Sequence, residues 1–379
     1  MDLRVERAAL VELRVERAAL ADAVAWTART LPKGAGPLSG ILVVAGDNEM
    51  SLSSFDLDMS SCATIEAVVE QPGQALVSGR LLVDIARSLP KHGVTIATEP
   101  SRVLLRCGRS EFVLPLMPDD EYPPLPSMPP VVGRTPGATF AHAIAQTAIA
   151  TAKSDNMPLF TGIRMEIDGE NLTLAATDRY RLAVRELSWT PEAVGFTREV
   201  IVPGRGLADV ARSLSGAADV HLALSADERE LGIESGGKRF TTRLLEGQFP
   251  RFRELLPSTF TSTVRMDTAE LIEAVKRVAL VAERHAPVRL DVLKDEVVLR
   301  AGISEETHAT EAVAAVLDGQ PMTIAFNPTF LLDGLAELEG SVTAIRYNEA
   351  TKPAVIVGAA DMTADPDTSF RYLLMPVKV

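Results

Sequence analysis

Arg80 and Arg87 stand seven residues apart, and the same spacing separates Arg205 from Arg212 and Arg277 from Arg284. Seven residues is close to two helical turns, so on a helix each pair projects from one face. Paired guanidinium groups suit phosphate: they place positive charge on a duplex backbone without reading its sequence. The other chemistries that side chains could offer here are weak. No G-x-x-x-x-G-K-[ST], G-x-G-x-x-G, H-E-x-x-H or G-x-S-x-G occurs, which leaves no phosphate cradle, zinc-protease helix or hydrolase elbow. His92, His142, His221, His285 and His308 lack metal-ligand spacing, and the Asp119-Asp120-Glu121 run lies among prolines and reads as a solvated linker. The expectation is no catalytic residue, no metal and no cofactor.

Internal repetition indicates what positions the arginines. "ALVSGRLLVDIARSLP" from Ala75 and "VIVPGRGLADVARSLS" from Val200 align at a constant separation of 125 residues, which superposes Arg80 on Arg205 and Arg87 on Arg212. A weaker third copy, "MTIAFNPTFLLDGLAELEG" from Met322, carries Thr329 and Ala336 where the first two have arginines. Upstream, Leu20, Ala23 and Val24 resemble Phe140, Ala143 and Ile144, and then Leu271, Ala274 and Val275, an apolar stripe that predicts an amphipathic helix opening each copy. Runs such as "SLSSFDL", "LTLAATD", "RLAVREL" and "EVVLRAG", with turn signals at Asp168-Gly169 and Pro72-Gly73, predict strands between the helices. A period near 125 is too long for a solenoid, whose repeat is roughly 20 to 50 residues. The chain therefore reads as three copies of one α+β domain, 13–133, 134–260 and 261–379. The stretch 117–137 is expected to be a proline-rich extended linker and 249–260 its counterpart at the second junction. Residues 1–12 are expected to be an appendage, because "LRVERAAL" at Leu3 recurs at Leu13 and only the second copy runs into a helical pattern.

Composition limits the partners. The net charge of −13 over 379 residues excludes a uniformly basic surface, so DNA contact has to be local. Cys62 and Cys107 are the only cysteines, far from any C-x-x-C, which points to a reducing cytoplasm. No apolar run approaches a membrane span and the first ten residues lack the apolar region of a signal peptide.

"VSGRLLVDIARSLP", "ATDRYRLAVRE", "EGQFPRFRELLP", "KRVALVAER", "IAFNPTFLLDGL" and the terminal "YLLMPVKV", in that order along nearly the whole chain, resemble the bacterial sliding clamps, the beta subunits of DNA polymerase III, in their actinobacterial form. The resemblance implies three clamp domains with antiparallel sheets outside and two helices each inside, closed as a head-to-tail homodimer into a ring. Arg80, Arg87, Arg205, Arg212, Arg277 and Arg284 would then face encircled double-stranded DNA while the acidic excess faces outward. The resemblance also implies an apolar groove that docks short peptides of the polymerase III alpha subunit, the clamp loader and other clamp-binding proteins. Its matching positions are Thr177, Arg179, Tyr180, Arg181, Leu182, Pro250, Leu255, Phe330, Leu373, Leu374, Met375, Pro376 and Val377, with Phe160 and Pro353 as further matches. Phe160 stands where the family usually has leucine, and Glu254 and Glu111 where basic residues occur. Phe112, Leu280 and Val281 match the dimer contact. The implied function is a processivity factor tethering polymerase and repair proteins to DNA. The alternatives are an accessory clamp with an altered, inhibitor-insensitive groove, or an enzyme with a site between repeats.

Overall fold

The computed structural model describes residues 12–34, 36–154, 156–282, 286–302 and 307–378. The same order of elements runs through the chain three times. The first pass is β1 (Glu12–Val15), α1 (Arg17–Thr27), β2 (Gly40–Gly46), β3 (Glu49–Phe55), β4 (Met59–Glu66), β5 (Val68–Val69), β6 (Gly73–Ser78), α2 (Gly79–Ser88), β7 (Val94–Glu99), β8 (Arg102–Cys107) and β9 (Ser110–Pro115). The second is β10 (Val131–Thr135), α3 (Gly137–Ala148), β11 (Gly162–Asp168), β12 (Asn171–Thr177), β13 (Arg181–Ser188), β14 (Thr190–Pro191), β15 (Thr197–Pro203), α4 (Gly204–Ser213), β16 (Val220–Leu224), β17 (Glu230–Ser235) and β18 (Lys238–Arg243). The third is β19 (Ser262–Asp267), α5 (Thr268–Ala279), β20 (Val288–Val292), β21 (Glu296–Gly302), β22 (His308–Asp318), β23 (Met322–Phe326), α6 (Pro328–Ala336), β24 (Val342–Tyr347), β25 (Ala354–Ala359) and β26 (Asp367–Leu374). Here β22 does alone what a long and a short strand do in the first two passes.

The stripes that predicted the opening helices are buried. Leu20, Ala23 and Val24, then Phe140, Ala143 and Ile144, then Leu271, Ala274 and Val275 are all at most 1% exposed. Each opening helix follows a strand that sequence patterning passed over. Glu12, expected in the appendage, begins β1 and lies opposite Ala97 of β7, because the ladder needs four residues here. Val131–Thr135, inside the expected linker, forms β10 against β16, its extended backbone serving as strand.

Compactness does not follow the repeats. One unit comprises the described residues up to Phe140 with Thr190–Ala193 and Asp209–Leu244, and the other comprises Ala141–Trp189, Val194–Ala208 and the described residues from Leu245 on. The reason is that sheets run across repeat boundaries. Within the first unit β18 pairs antiparallel with β4, from Lys238 opposite Ala63 to Thr242 opposite Met59. This first seam helps build a nine-stranded sheet, β14-β10-β16-β17-β18-β4-β3-β2-β6, beside a five-stranded one, β5-β1-β7-β8-β9. Within the second unit β26 pairs with β13, from Arg181 opposite Leu374 to Arg185 opposite Phe370. This second seam sits inside a twelve-stranded sheet, β15-β11-β12-β13-β26-β25-β24-β19-β22-β21-β20-β23.

Candidate partner-binding site

The second seam carries most of the groove residues. After β12, Thr177 and Asp178 close a tight turn onto β13: Thr177 Oγ1 donates to the Arg181 carbonyl at 2.7 Å and accepts from the Arg179 N–H at 3.1 Å. Asp178 Oδ1 accepts from the N–H groups of Tyr180 and Arg181, both at 3.1 Å. These bonds hold Arg179 in the left-handed region at φ 79°, a conformation that non-glycine residues adopt only when their surroundings impose it. The turn leaves Tyr180 outward, 57% exposed, and turns Arg181 inward, 2% exposed.

Arg181 is a buried charge, and its partners come from both repeats that meet at the seam. Nε bonds to Asp178 at 2.9 Å, Nη1 bonds to Asp333 at 2.6 Å on α6, and Tyr372 Oη of β26 lies 3.4 Å away. The guanidinium packs 4.2 Å from the centroid of the Phe330 ring, which stacks on Tyr180 at 6.3 Å. Burial works against the guanidinium's charge, but Tyr372, Asp333 and Asp178 more than offset it, so Arg181 holds its proton more firmly than a free arginine. Burial likewise pushes the Tyr372 hydroxyl well above the ordinary tyrosine value, against the opposing pull of Arg181. Asn327 caps α6 by accepting from the Thr329 and Phe330 N–H groups, with Pro328 at the first helical position, and this fixes Phe330 over Arg181. Gly334 lets α6 lie against Tyr372, since a Cβ there would sit 2.3 Å from the ring.

Beside this stack lies an apolar cluster. Leu182 and Leu373 face each other across the seam and are packed with Val184, Val355, Val357 and, from the segment after β18, Phe249 and Phe252. Pro250 accepts a bond from the Phe252 N–H at 2.7 Å, which starts a 3₁₀ turn (Phe252–Leu255) that leaves Leu255 49% exposed. The tail then runs on from β26: the Met375 N–H donates to the Tyr180 carbonyl at 2.9 Å and the Val377 N–H to the Ala325 carbonyl at 2.8 Å. Met375 and Val377 are 37% and 39% exposed. Half-buried Pro353 precedes Ala354, which pairs with Leu374.

Several positions differ from expectation. Arg181, Thr177, Leu182, Leu373 and Leu374 are buried support rather than lining, because strand alternation and the two-sided packing of this sheet enclose them. Phe160 is half-buried on a 3₁₀ turn (Pro158–Thr161), and it is its neighbour Leu159 that packs against the apolar cluster. Asp178, Asp333, Tyr372, Phe249 and Phe252 escaped the sequence reading as site residues. Only Asp178 had a local signal, as an aspartate three residues before the turn's end.

Among the paired arginines, Arg80, Arg87, Arg205 and Arg212 are exposed on α2 and α4, opposite buried Leu82, Ile85, Leu207 and Val210. Arg277 differs: its Nε bonds to Glu311 of β22 at 3.0 Å, a bidentate pair that leaves it little charge to offer phosphate. Arg284 lies outside the described residues. For the dimer contact, Leu280 is 83% exposed at the end of α5, Val281 is half-buried, and half-buried Phe112 sits on β9, the last strand of its sheet, while Glu111 pairs with Arg106 at 2.6 Å.

The fold and this seam define a three-domain clamp. The described families "DNA polymerase III beta subunit" N-terminal, central and C-terminal domain match residues 11–126, 134–251 and 253–378. The chain is 46% identical over 384 residues to the beta sliding clamp of Streptomyces coelicolor, covering all of both, and 42% identical over 360 residues to the beta sliding clamp homolog GriR of Streptomyces muensis, covering 94% of this chain and 96% of that one. The crystal structure of the Pseudomonas aeruginosa sliding clamp bound to griselimycin matches with a TM-score of 0.89 at 25% identity, over 97% of this chain and all of that one. The chain therefore belongs to the family of bacterial sliding clamps, the beta subunits of DNA polymerase III.

Proposed function

We propose that two copies of this clamp close head to tail around duplex DNA and slide along it, tethering polymerase and other partners through the second seam. The carrying observation is the repetition of the seam itself. The last strand of the second repeat joins the third long strand of the first, and the last strand of the third joins that of the second. By the same rule β9 should join β22, whose Ala309–Val313 stretch pairs only with β21 among the described strands, and a second copy supplies that join as a head-to-tail contact. Leu280, Val281 and Phe112 supply its apolar contacts. Exposed Arg80, Arg87, Arg205 and Arg212 would meet phosphate within the ring, where enclosure rather than affinity retains DNA. Domain boundaries near 133 and 260 accompany this reading, as does a site in the bacterial cytoplasm at the nucleoid.

The docking surface is Tyr180, Phe330, Leu255, Met375, Pro376 and Val377 over the buried leucines. Leucine and methionine side chains of this kind adapt to short apolar peptides, and Pro376 needs no hydrogen bond of its own. Polymerase III alpha subunit and clamp-loader peptides are the proposed occupants. Titration of a labelled clamp-binding pentapeptide tests this: saturable binding near micromolar, about −8 kcal/mol, that weakens in Met375→Ala supports it, and equal binding in both proteins moves the site elsewhere. Leu280→Glu is expected to give monomers in sedimentation, and an unchanged dimer would sink the ring as drawn.

A specialised clamp with an altered groove is the second reading, and the likeness to GriR favours keeping it. Unchanged griselimycin affinity after Phe160→Leu would remove that residue as its cause.

A further inference from the structure

The segments that follow β9 and β18 act as straps over the strand that leads into the second helix of their repeat. The Met117 N–H donates to the Leu76 carbonyl of β6 at 2.9 Å, and the Leu245 N–H to the Ile201 carbonyl of β15 at 2.8 Å. Val377 repeats the contact on Ala325 of β23 at 2.8 Å, and Leu76, Ile201 and Ala325 are equivalent in the repeat. What the second strap does next is informative. Its Phe249 and Phe252 rings lie 6.0 and 5.9 Å from the Arg164 guanidinium, and its Arg253 pairs with Glu166. Arg164 stands opposite Ile201 and Glu166 opposite Glu199 in the β11–β15 ladder.

The third repeat keeps the receiving half of this arrangement. Arg289 stands opposite Ala325 and Asp291 opposite Thr323 in the β20–β23 ladder, which makes them the counterparts of Arg164 and Glu166. The internal pair is preserved as well, Arg289 Nε to Asp291 at 3.0 Å against Arg164 Nε to Glu166 at 2.6 Å. Instead of meeting aromatic rings, Arg289 opens onto a cleft of about 460 Å³ bounded by Thr323, Ala325, Thr351, Val377 and Lys378. Among the described residues no strap lies over it.

We propose that this cleft is a third strap site, completed in trans by an extended segment of a partner protein that lays an aromatic residue on Arg289. The occupant's chemistry follows from the second repeat. The Val377 N–H already takes the carbonyl that begins the strap path, so the occupant enters just beyond it, with aromatic groups against Arg289. Asp291 already accepts from Arg289, from Thr323 at 2.7 Å and from Arg300 at 2.9 Å, so Arg300 takes the place that Arg253 has on Glu166, and the occupant is recognised by its aromatic groups alone. Such a segment would hold a partner on a surface that adjoins the proposed docking surface at Val377 but lies away from the leucine cluster, so a tethered protein could change its grip on one while keeping the other. The inference stands on the repeat and does not depend on the groove.

The test uses the full-length protein and a fluorescein-labelled peptide with the sequence of residues 246–255, read by anisotropy. Saturable binding is expected, weakened about tenfold or more by Arg289→Ala and by Thr351→Trp, which fills an exposed wall of the cleft, and unchanged by Met375→Ala. A peptide with alanine in place of its first phenylalanine should bind as weakly as the Arg289→Ala pair. No binding, or binding lost in Met375→Ala and kept in Arg289→Ala, overturns the proposal. Binding that appears only after deletion of residues 1–11 also overturns it, since the cleft would then belong to the chain's own N-terminal segment. Failure in either of the first two ways leaves the groove reading intact, because that reading is tested by Met375→Ala with a different peptide.

Discussion

At the first seam Ser60 faces Thr241 and their hydroxyls share a hydrogen bond of 2.7 Å, whereas the same two positions at the second seam hold Leu182 and Leu373, both buried. The backbone around them is nearly the same. Asp56 Oδ1 accepts from the Asp58 and Met59 N–H groups as Asp178 does from Tyr180 and Arg181, and Leu57 has φ 82° where Arg179 has φ 79°. Arg243 N–H donates to the Asp58 carbonyl as Met375 N–H does to that of Tyr180, each at 2.9 Å. One turn and one ladder thus serve two ends. At the first seam Asp58 pairs at 3.5 Å with Arg243, and Trp26 of α1 donates to the Arg239 carbonyl at 3.2 Å, so polar contacts finish the join. At the second, aromatic and aliphatic groups take those places and leave Tyr180, Met375 and Val377 partly uncovered. The difference teaches that one backbone join can be finished either with polar pairs or with apolar groups left partly uncovered, and the docking proposed above uses the second kind.

The largest expected effect separates the seams by charge. Arg181→Met strands Asp178 and Asp333 and should cost about 3 kcal/mol or more in denaturant unfolding, while Met59→Ala at the matching place should cost about 1 kcal/mol. Equal costs would break the comparison. Leu373→Ala is next, at about 2 to 4 kcal/mol, together with weaker pentapeptide binding measured by anisotropy. Ser60→Ala, which leaves Thr241 without its partner, should cost about 1 kcal/mol and leave peptide affinity untouched. The smallest effect lies where α3 meets the end of α6, with Gln146 donating to the Glu337 carbonyl at 3.0 Å. Burial raises the Glu337 carboxyl above its ordinary value, partly opposed by His142. A raised folded-state value means the folded protein binds more protons, so stability falls as pH rises from the unfolded carboxylate value through the folded one. Glu337→Gln removes that loss, and its melting temperature relative to the parent should be higher at pH 7 than at pH 4. The gain should stay below about 1 kcal/mol, given the group's partial exposure. A gain equal at both pH values would mean that packing, not charge, is responsible.

The opening helices, most strands and the repeat itself were legible because their signals are local: an apolar stripe at Leu271, Ala274 and Val275, or a turn at Asp168-Gly169. Motifs marked these positions together, yet they could not separate Met375, which is partly exposed, from Leu374 or Arg181, which are buried. That distinction depends on which strand lies alongside, and β13 meets β26 across nearly two hundred residues of sequence. The same limit hid Arg277, whose helical spacing suited phosphate while Glu311 waited on a distant strand.

The seams also impose a timetable on synthesis. Ala63 of β4 meets Lys238 roughly 175 residues later in the chain. At ribosomal speeds of about 5 to 20 residues per second, that edge emerges about 10 to 35 s before its neighbour exists. Each nascent chain therefore carries an unclosed strand edge for much of its birth, and the second seam repeats the exposure from Arg185 to Phe370. The ladder that gives the finished clamp its continuity makes the growing one a ready template for its siblings on the same message.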